Sequence, residues 1–181
     1  MSTWRAGDWM QTFTGRKFYP MDPRPEDIDV RDIAHALSLL CRFNGHVRRF
    51  YSVAEHCVLM SRAVPEQHAL YALLHDATEA YVGDMIRPLK GSMPHYREAE
   101  DRVMDAIAER FGLPGVMPAE VHDADNRILL TERDALMAPS GHAWGQDDLD
   151  PLLVTVTGWY PHEAERMYLS RLTELTADVT P

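Results

Sequence analysis

Between Glu66 and Val82 the chain is apolar at nearly every helical phase, through Ala69, Leu70, Ala72, Leu73, Leu74, Ala77 and Ala80. A helix apolar on all faces is buried on all faces, so the pattern predicts a central helix that the rest of the chain wraps. Pro65 is placed to open it and Gly83 to stop it. The same segment carries His75, Asp76 and Glu79. Carboxylates are almost never fully buried without a partner. Three polar residues in one apolar helix need a shared explanation, and a metal ion is the most economical one.

The remaining pattern is mostly helical. Apolar spacing predicts helices from about Asp29 to Cys41, Ser52 to Val64, His95 to Phe111, Ala119 to Met137 and Pro161 to Thr176. Ser52-Val-Ala-Glu55 reads as a capping box opening the second of these. Met10–Met21 alternates around Thr14-Gly15, which predicts a short β-hairpin. Leu152–Thr157 is strand-like, a candidate third partner for that hairpin. The expected fold is all-α: a bundle of about six helices with a small N-terminal hairpin, divided into a hairpin and proline-rich lead-in (1–28) and the bundle (29–181).

A chain of 181 residues is long enough to bury a core as one domain. Eighteen Lys and Arg against twenty-eight Asp and Glu leave a net charge of −10. This argues against a nucleic-acid polymer or an anionic membrane as partner, since both bind through lysine and arginine. No apolar run approaches a membrane span and no signal peptide is visible. Cys41 and Cys57 form no CxxC pair and read as reduced core thiols, so the expected location is cytoplasmic.

Geometry supplies further ligands. His56 lies about 12 Å of helix before the Val64-Pro65 turn and His75 about 15 Å after it, so an antiparallel pair brings them level. Along the Ala119–Met137 helix, Val121, Asp125, Ile128 and Glu132 share one face with Ala135 and Leu136. Asp123 falls with Asn126, Arg127, Leu130 and Asp134 on a mostly polar face. Asp125 is therefore expected inward and Asp123 outward, leaving His122-Asp123 as a decoy. The set His56, His75, Asp76 and Asp125 suits one borderline divalent ion such as Mn, Co, Ni, Fe or Zn, with Mg a further candidate. Without a cysteine ligand it does not read as a structural zinc knot.

The order His56, His75-Asp76, Asp125 resembles the HD-domain metal-dependent phosphohydrolases. The block His75-Asp-Ala-Thr-Glu79-Ala-Tyr-Val-Gly83-Asp84-Met-Ile-Arg-Pro88-Leu-Lys90 is similar to that of bacterial 5′-deoxynucleotidases. Arg42-Phe43 ahead of Ala54-Glu55-His56 stands at nearly the spacing of that subfamily's Arg-Trp pair. The resemblance covers about residues 30–138. It implies an all-helical fold, one divalent metal on those four residues, and phosphate release from a 2′-deoxynucleotide, a 5′-monophosphate first. By position it implies that Glu79 and Asp84 orient water and manage protons, that Arg42 and Lys90 hold phosphate oxygens, and that Phe43 packs on the sugar. Small phage dATP triphosphohydrolases share the layout, with Pro88 at the base pocket, so a triphosphate substrate is the alternative. The chain departs from the subfamily by a shorter His56–His75 interval, by Phe43 in place of Trp and by Asn44-Gly45-His46 in place of a bulkier apolar stretch.

A reading of another class, a metal- and nucleotide-binding module without turnover, predicts loss of a ligand or catalytic carboxylate. All six are present. Relatives of this type commonly self-associate, so a homo-oligomer is expected.

Overall fold

The computed structural model describes residues 4–177; the chain ends assigned above to the hairpin segment (1–3) and the bundle (178–181) lie outside the described residues. The hairpin forms as expected from β1 (Met10–Gln11) and β2 (Lys17–Phe18), antiparallel, with Met10 opposite Phe18 and Gln11 opposite Lys17. Gly15 closes the turn at φ 83°, a conformation open to glycine because it has no Cβ. The hairpin is fastened to the bundle. Thr14 donates its amide and its hydroxyl to the two oxygens of buried Asp32, at 2.6 and 3.0 Å, and Phe18 is fully buried, stacked on Tyr81.

The helices are α1 (Val30–Leu39), α2 (Val53–Ala63), α3 (Ala69–Leu74), α4 (Glu79–Val82), α5 (Arg87–Lys90), α6 (Pro94–Phe111), α7 (Ala119–Leu136) and α8 (Pro161–Thr176). With the one two-stranded hairpin, this is an all-α bundle. Asp29 caps α1 through the Arg31 amide and Ser52 caps α2 through the Glu55 amide. No helix among the described residues is long and apolar enough to cross a membrane.

Helix α2 is the most enclosed element: Val53 to Ser61 are all buried. It packs against α1, α3, α7 and α8. One core joins Phe18, Ile33, Leu37, Val58, Leu73, Ile107 and Tyr168; a second joins Tyr51, Met60, Val121, Ile128, Leu136 and Leu152. Cys41 and Cys57 are free thiols.

Three expectations need correction. Residues 66–82 are not one helix. A 3-10 turn (Glu66–His68) leads into α3, and residues 75–78 form tight turns before α4. Ala77 bonds Leu74 and Glu79 bonds Asp76, both three residues back at 3.0 Å. The His75 ring explains the break: its Nδ1 donates to the Ala72 carbonyl at 2.8 Å, which an unbroken helix would give to the Asp76 amide. Second, Leu152–Thr157 does not join the hairpin. It runs extended along α7, with the Leu152 amide on the Arg127 carbonyl and the Thr131 hydroxyl on the Leu152 carbonyl. Third, only half of the capping box forms. The Glu55 carboxylate turns away from Ser52 and accepts the amides of Thr157, Gly158 and Trp159 at 2.8, 2.9 and 2.6 Å. Three donors outcompete one, and they anchor the segment that feeds α8.

Candidate metal centre

Four donors from three elements converge. His56 comes from α2, His75 and Asp76 from the tight turns after α3, and Asp125 from the second turn of α7. His56 Nε2 lies 3.2 Å from His75 Nε2. Asp76 Oδ2 is 3.6 Å from the first and 3.3 Å from the second. Asp125 Oδ1 is 3.5 and 4.0 Å from the same two nitrogens. Donors bound at about 2.1 Å to one ion stand about 3.0 Å apart at right angles and about 3.4 Å apart at tetrahedral angles. The observed spacings begin inside this range, at 3.2 Å, and extend past it to 4.0 Å. His56 and His75 side chains are 0% and 2% exposed, Asp76 and Asp125 20% and 23%, so the centre opens to solvent on its carboxylate side. Helical phase placed the acids of α7 as expected: Asp125 faces in, whereas Asp123 is exposed and paired with Arg127.

The outer nitrogens fix the tautomers. A carbonyl oxygen can only accept, so His75 Nδ1 must donate to Ala72. His56 Nδ1 meets Glu132 Oε1 at 2.6 Å. With Nδ1 as donor, the neutral ring turns an Nε2 lone pair toward the centre. Two such lone pairs and two carboxylate oxygens then face one point, an arrangement that a cation satisfies. The residues present therefore fit a metal ion. Protons feel the same field: burial opposes a charge on His75, but Asp76 outweighs it and raises the ring well above the ordinary imidazole range. Asp76 in turn is held far below the usual carboxylate range, against burial, by His75, His56 and Arg42.

Glu132 is the residue beside the centre that sequence reasoning left without a role, although its phase put it on the inward face of α7. It is fully buried. Besides His56 it accepts the Tyr51 hydroxyl at 2.8 Å and the Arg42 guanidinium at 3.0 Å. Arg42 also faces Asp76 at 3.5 Å. Its neighbours Phe43 and Asn44 adopt positive φ of 55° and 51°, turning the Phe43 ring beneath the Arg42 guanidinium and toward Trp144.

Glu79 begins α4, one turn after His75. It is buried, and its Oε2 has no hydrogen-bond partner. Burial, then the charges of Asp76 and Asp84, push its carboxyl well above the usual range. Asp84 follows Gly83, which ends α4 at φ 82°. Burial raises its carboxyl too, Arg42 opposing and Asp76 adding. Lys90 ends α5 and pairs with Glu100 at 2.6 Å. Pro88, in the first turn of α5, is exposed. Arg87 beside it reaches Asp125 Oδ2 at 3.5 Å; no sequence signal distinguished it from any surface arginine.

Fold and site define a small helical protein with a buried His/Asp centre able to hold a metal ion. No family model matches the chain. It is 41% identical over 170 residues to YfdR of Escherichia coli (strain K12), covering 93% of this chain and 96% of YfdR. It is 44% identical over 126 residues to a protein of Rhodobacter capsulatus, covering 64% of each. The chain belongs to the YfdR family; both relatives are named only as uncharacterized proteins.

Proposed function

We propose that this protein is a metal-dependent phosphohydrolase of the HD type, releasing phosphate from 2′-deoxynucleotides, 5′-monophosphates first. The observation that carries the reading is the convergence of His56, His75, Asp76 and Asp125, with two carboxyls, Glu79 and Asp84, whose proton affinity burial raises. The block resemblance supplies the substrate class. A divalent ion held by the four donors contributes Lewis acidity toward a phosphoryl oxygen and toward water.

The chain's own residues do the rest. Glu79, unpartnered at Oε2 and raised in proton affinity, suits the transfer of a proton to or from the reacting oxygens. Asp84, which follows Gly83 at the end of α4 and is raised in proton affinity by burial, is the second carboxyl suited to proton transfer. Glu132 and the Ala72 carbonyl hold the two imidazoles in the ligating tautomer. Arg42 offsets the charge of Glu132 and Asp76. Phe43, held in a left-handed turn, offers an apolar wall for the sugar. A net charge of −10 is compatible with a mononucleotide because a bound cation, with Arg42 and Arg87, would offset the carboxylates of the centre locally.

The test is a phosphate-release screen of deoxynucleoside monophosphates, ribonucleoside monophosphates and deoxynucleoside triphosphates, each with added Mn, Co, Mg or Zn. Turnover with Mn or Co on a deoxynucleoside monophosphate is expected, absent in a His75→Ala/Asp76→Ala variant. Chromatography of products separates orthophosphate from tripolyphosphate. Phosphate release no faster than that variant under every metal rejects the enzyme reading.

A further inference from the structure

Arg42 and Arg87 face carboxylates of the centre and Lys90 acts on Asp84, and the three cations differ in what remains of their charge. Arg42 is enclosed, with its side chain 12% exposed, and faces Glu132 and Asp76 together. Lys90 is tied to Glu100 at 2.6 Å. Arg87 is 59% exposed, and its two contacts, Asp125 Oδ2 at 3.5 Å and Asn126 Oδ1 at 3.4 Å, are both at the long limit of hydrogen bonding. It is the cation with capacity for another anion.

Its position is specific. Asp125 uses its two oxygens on two sides: Oδ1 faces the imidazoles and Oδ2 faces Arg87. The guanidinium therefore sits one carboxylate away from the point where the donors converge, on the solvent-open side. Pro88 fixes the backbone that follows it, in the first turn of α5, and α5 packs on α6. The exposed side chain is thus carried on a braced base. A guanidinium presents a planar fork of donors that matches two oxygens of a phosphate.

We propose that Arg87 is the residue that grips the substrate's phosphate, exchanging its long contacts with Asp125 and Asn126 for two phosphate oxygens. Sequence resemblance gave this task to Arg42 and Lys90, whose charges the fold has already committed. The inference rests on the phosphohydrolase reading for its substrate but not for its first measurement. Arg87 is a binding residue: it lowers the concentration at which a phosphate is held without moving a proton.

The experiment compares the unmodified protein with Arg87→Ala and Arg87→Lys, each loaded with Mn. Calorimetric titration with inorganic phosphate is expected to show binding weakened at least tenfold in Arg87→Ala and less in Arg87→Lys, which keeps the charge but loses the fork. Metal content and melting temperature are expected to stay unchanged. With a turned-over monophosphate, KM is expected to rise at least tenfold in Arg87→Ala while kcat changes less than threefold. Phosphate affinity equal in the unmodified protein and Arg87→Ala, or absent from both, overturns the assignment. A tenfold loss of phosphate affinity without turnover by the unmodified protein supports Arg87 and rejects the enzyme reading, so the two fail separately.

Discussion

Glu132→Ala is the most demanding test of how this centre is built. The change removes one carboxylate and strands three groups: His56 Nδ1 at 2.6 Å, the Tyr51 hydroxyl at 2.8 Å and Arg42 at 3.0 Å. Arg42 suffers most. Its Nε is already buried without a partner, and Asp76 at 3.5 Å becomes its remaining close anion. Removing one member of a buried ion pair costs about 3–5 kcal/mol, because the other charge stays desolvated. With a urea slope of about 2 kcal/mol per molar, the unfolding midpoint should fall by about 1.5–2.5 M. Replacing both partners by uncharged groups of similar volume (Glu132→Gln with Arg42→Met) should recover most of that loss. Glu132→Gln alone keeps an acceptor for His56 but not its charge, so metal affinity should drop about 10–100-fold. Acid supplies a sign check. Burial alone would raise the Glu132 carboxyl, but Arg42 and His56 outweigh it and hold it below its ordinary value. Its stabilisation is therefore present above about pH 4.3 and lost as pH falls through the lower folded-state value. Acidification should erode the unmodified protein more steeply than Glu132→Gln. Urea denaturation followed by circular dichroism measures all of this. A midpoint shift below about 0.5 M for Glu132→Ala would refute the claim that Glu132 and Arg42 form a buried, mutually dependent pair.

Two further outcomes follow from the same structure. Glu55→Ala leaves the amides of Thr157, Gly158 and Trp159 without their acceptor; at roughly 1–3 kcal/mol for each unsatisfied donor that water cannot reach, it should destabilise the protein and speed proteolysis within 150–160, and unchanged cleavage there would contradict the anchoring role. Burial pushes the Cys57 thiol up to about 11, with His75 opposing, so at pH 8 a Cys41→Ser variant should show no thiol reactive toward an aromatic disulfide reagent until it is unfolded. Rapid reaction in the native state would show Cys57 to be accessible.

What the sequence disclosed, and what it did not, divides by range. Asp125 was separable from Asp123 because helical phase is local: a residue's neighbours along α7 state which face it shares. His56 and His75 were levelled by counting rise on either side of Pro65, again a short-range argument. The break after α3 escaped because its cause is a side chain, His75 Nδ1 displacing a backbone amide from Ala72, which no apolar periodicity encodes. Glu132 sat on the correct face, yet its task depends on Arg42, Tyr51 and His56, which lie 90, 81 and 76 residues away along the chain. Glu55 illustrates the same limit. Its local pattern predicted a capping box, and partners more than 100 residues distant took the carboxylate instead. Arg42 and Lys90 were legible as cations near the centre, but whether their charge was already committed needed the positions of Glu132 and Glu100.

The central claim is that His56, His75, Asp76 and Asp125 form one metal centre. Its most direct test is metal content. Protein stripped with a chelator, reloaded with Mn, Co or Zn and desalted should carry one ion per chain by elemental analysis. A His56→Ala/Asp125→Ala variant of unchanged helicity should carry none. Equal metal in the two proteins, or none in either, would contradict the account.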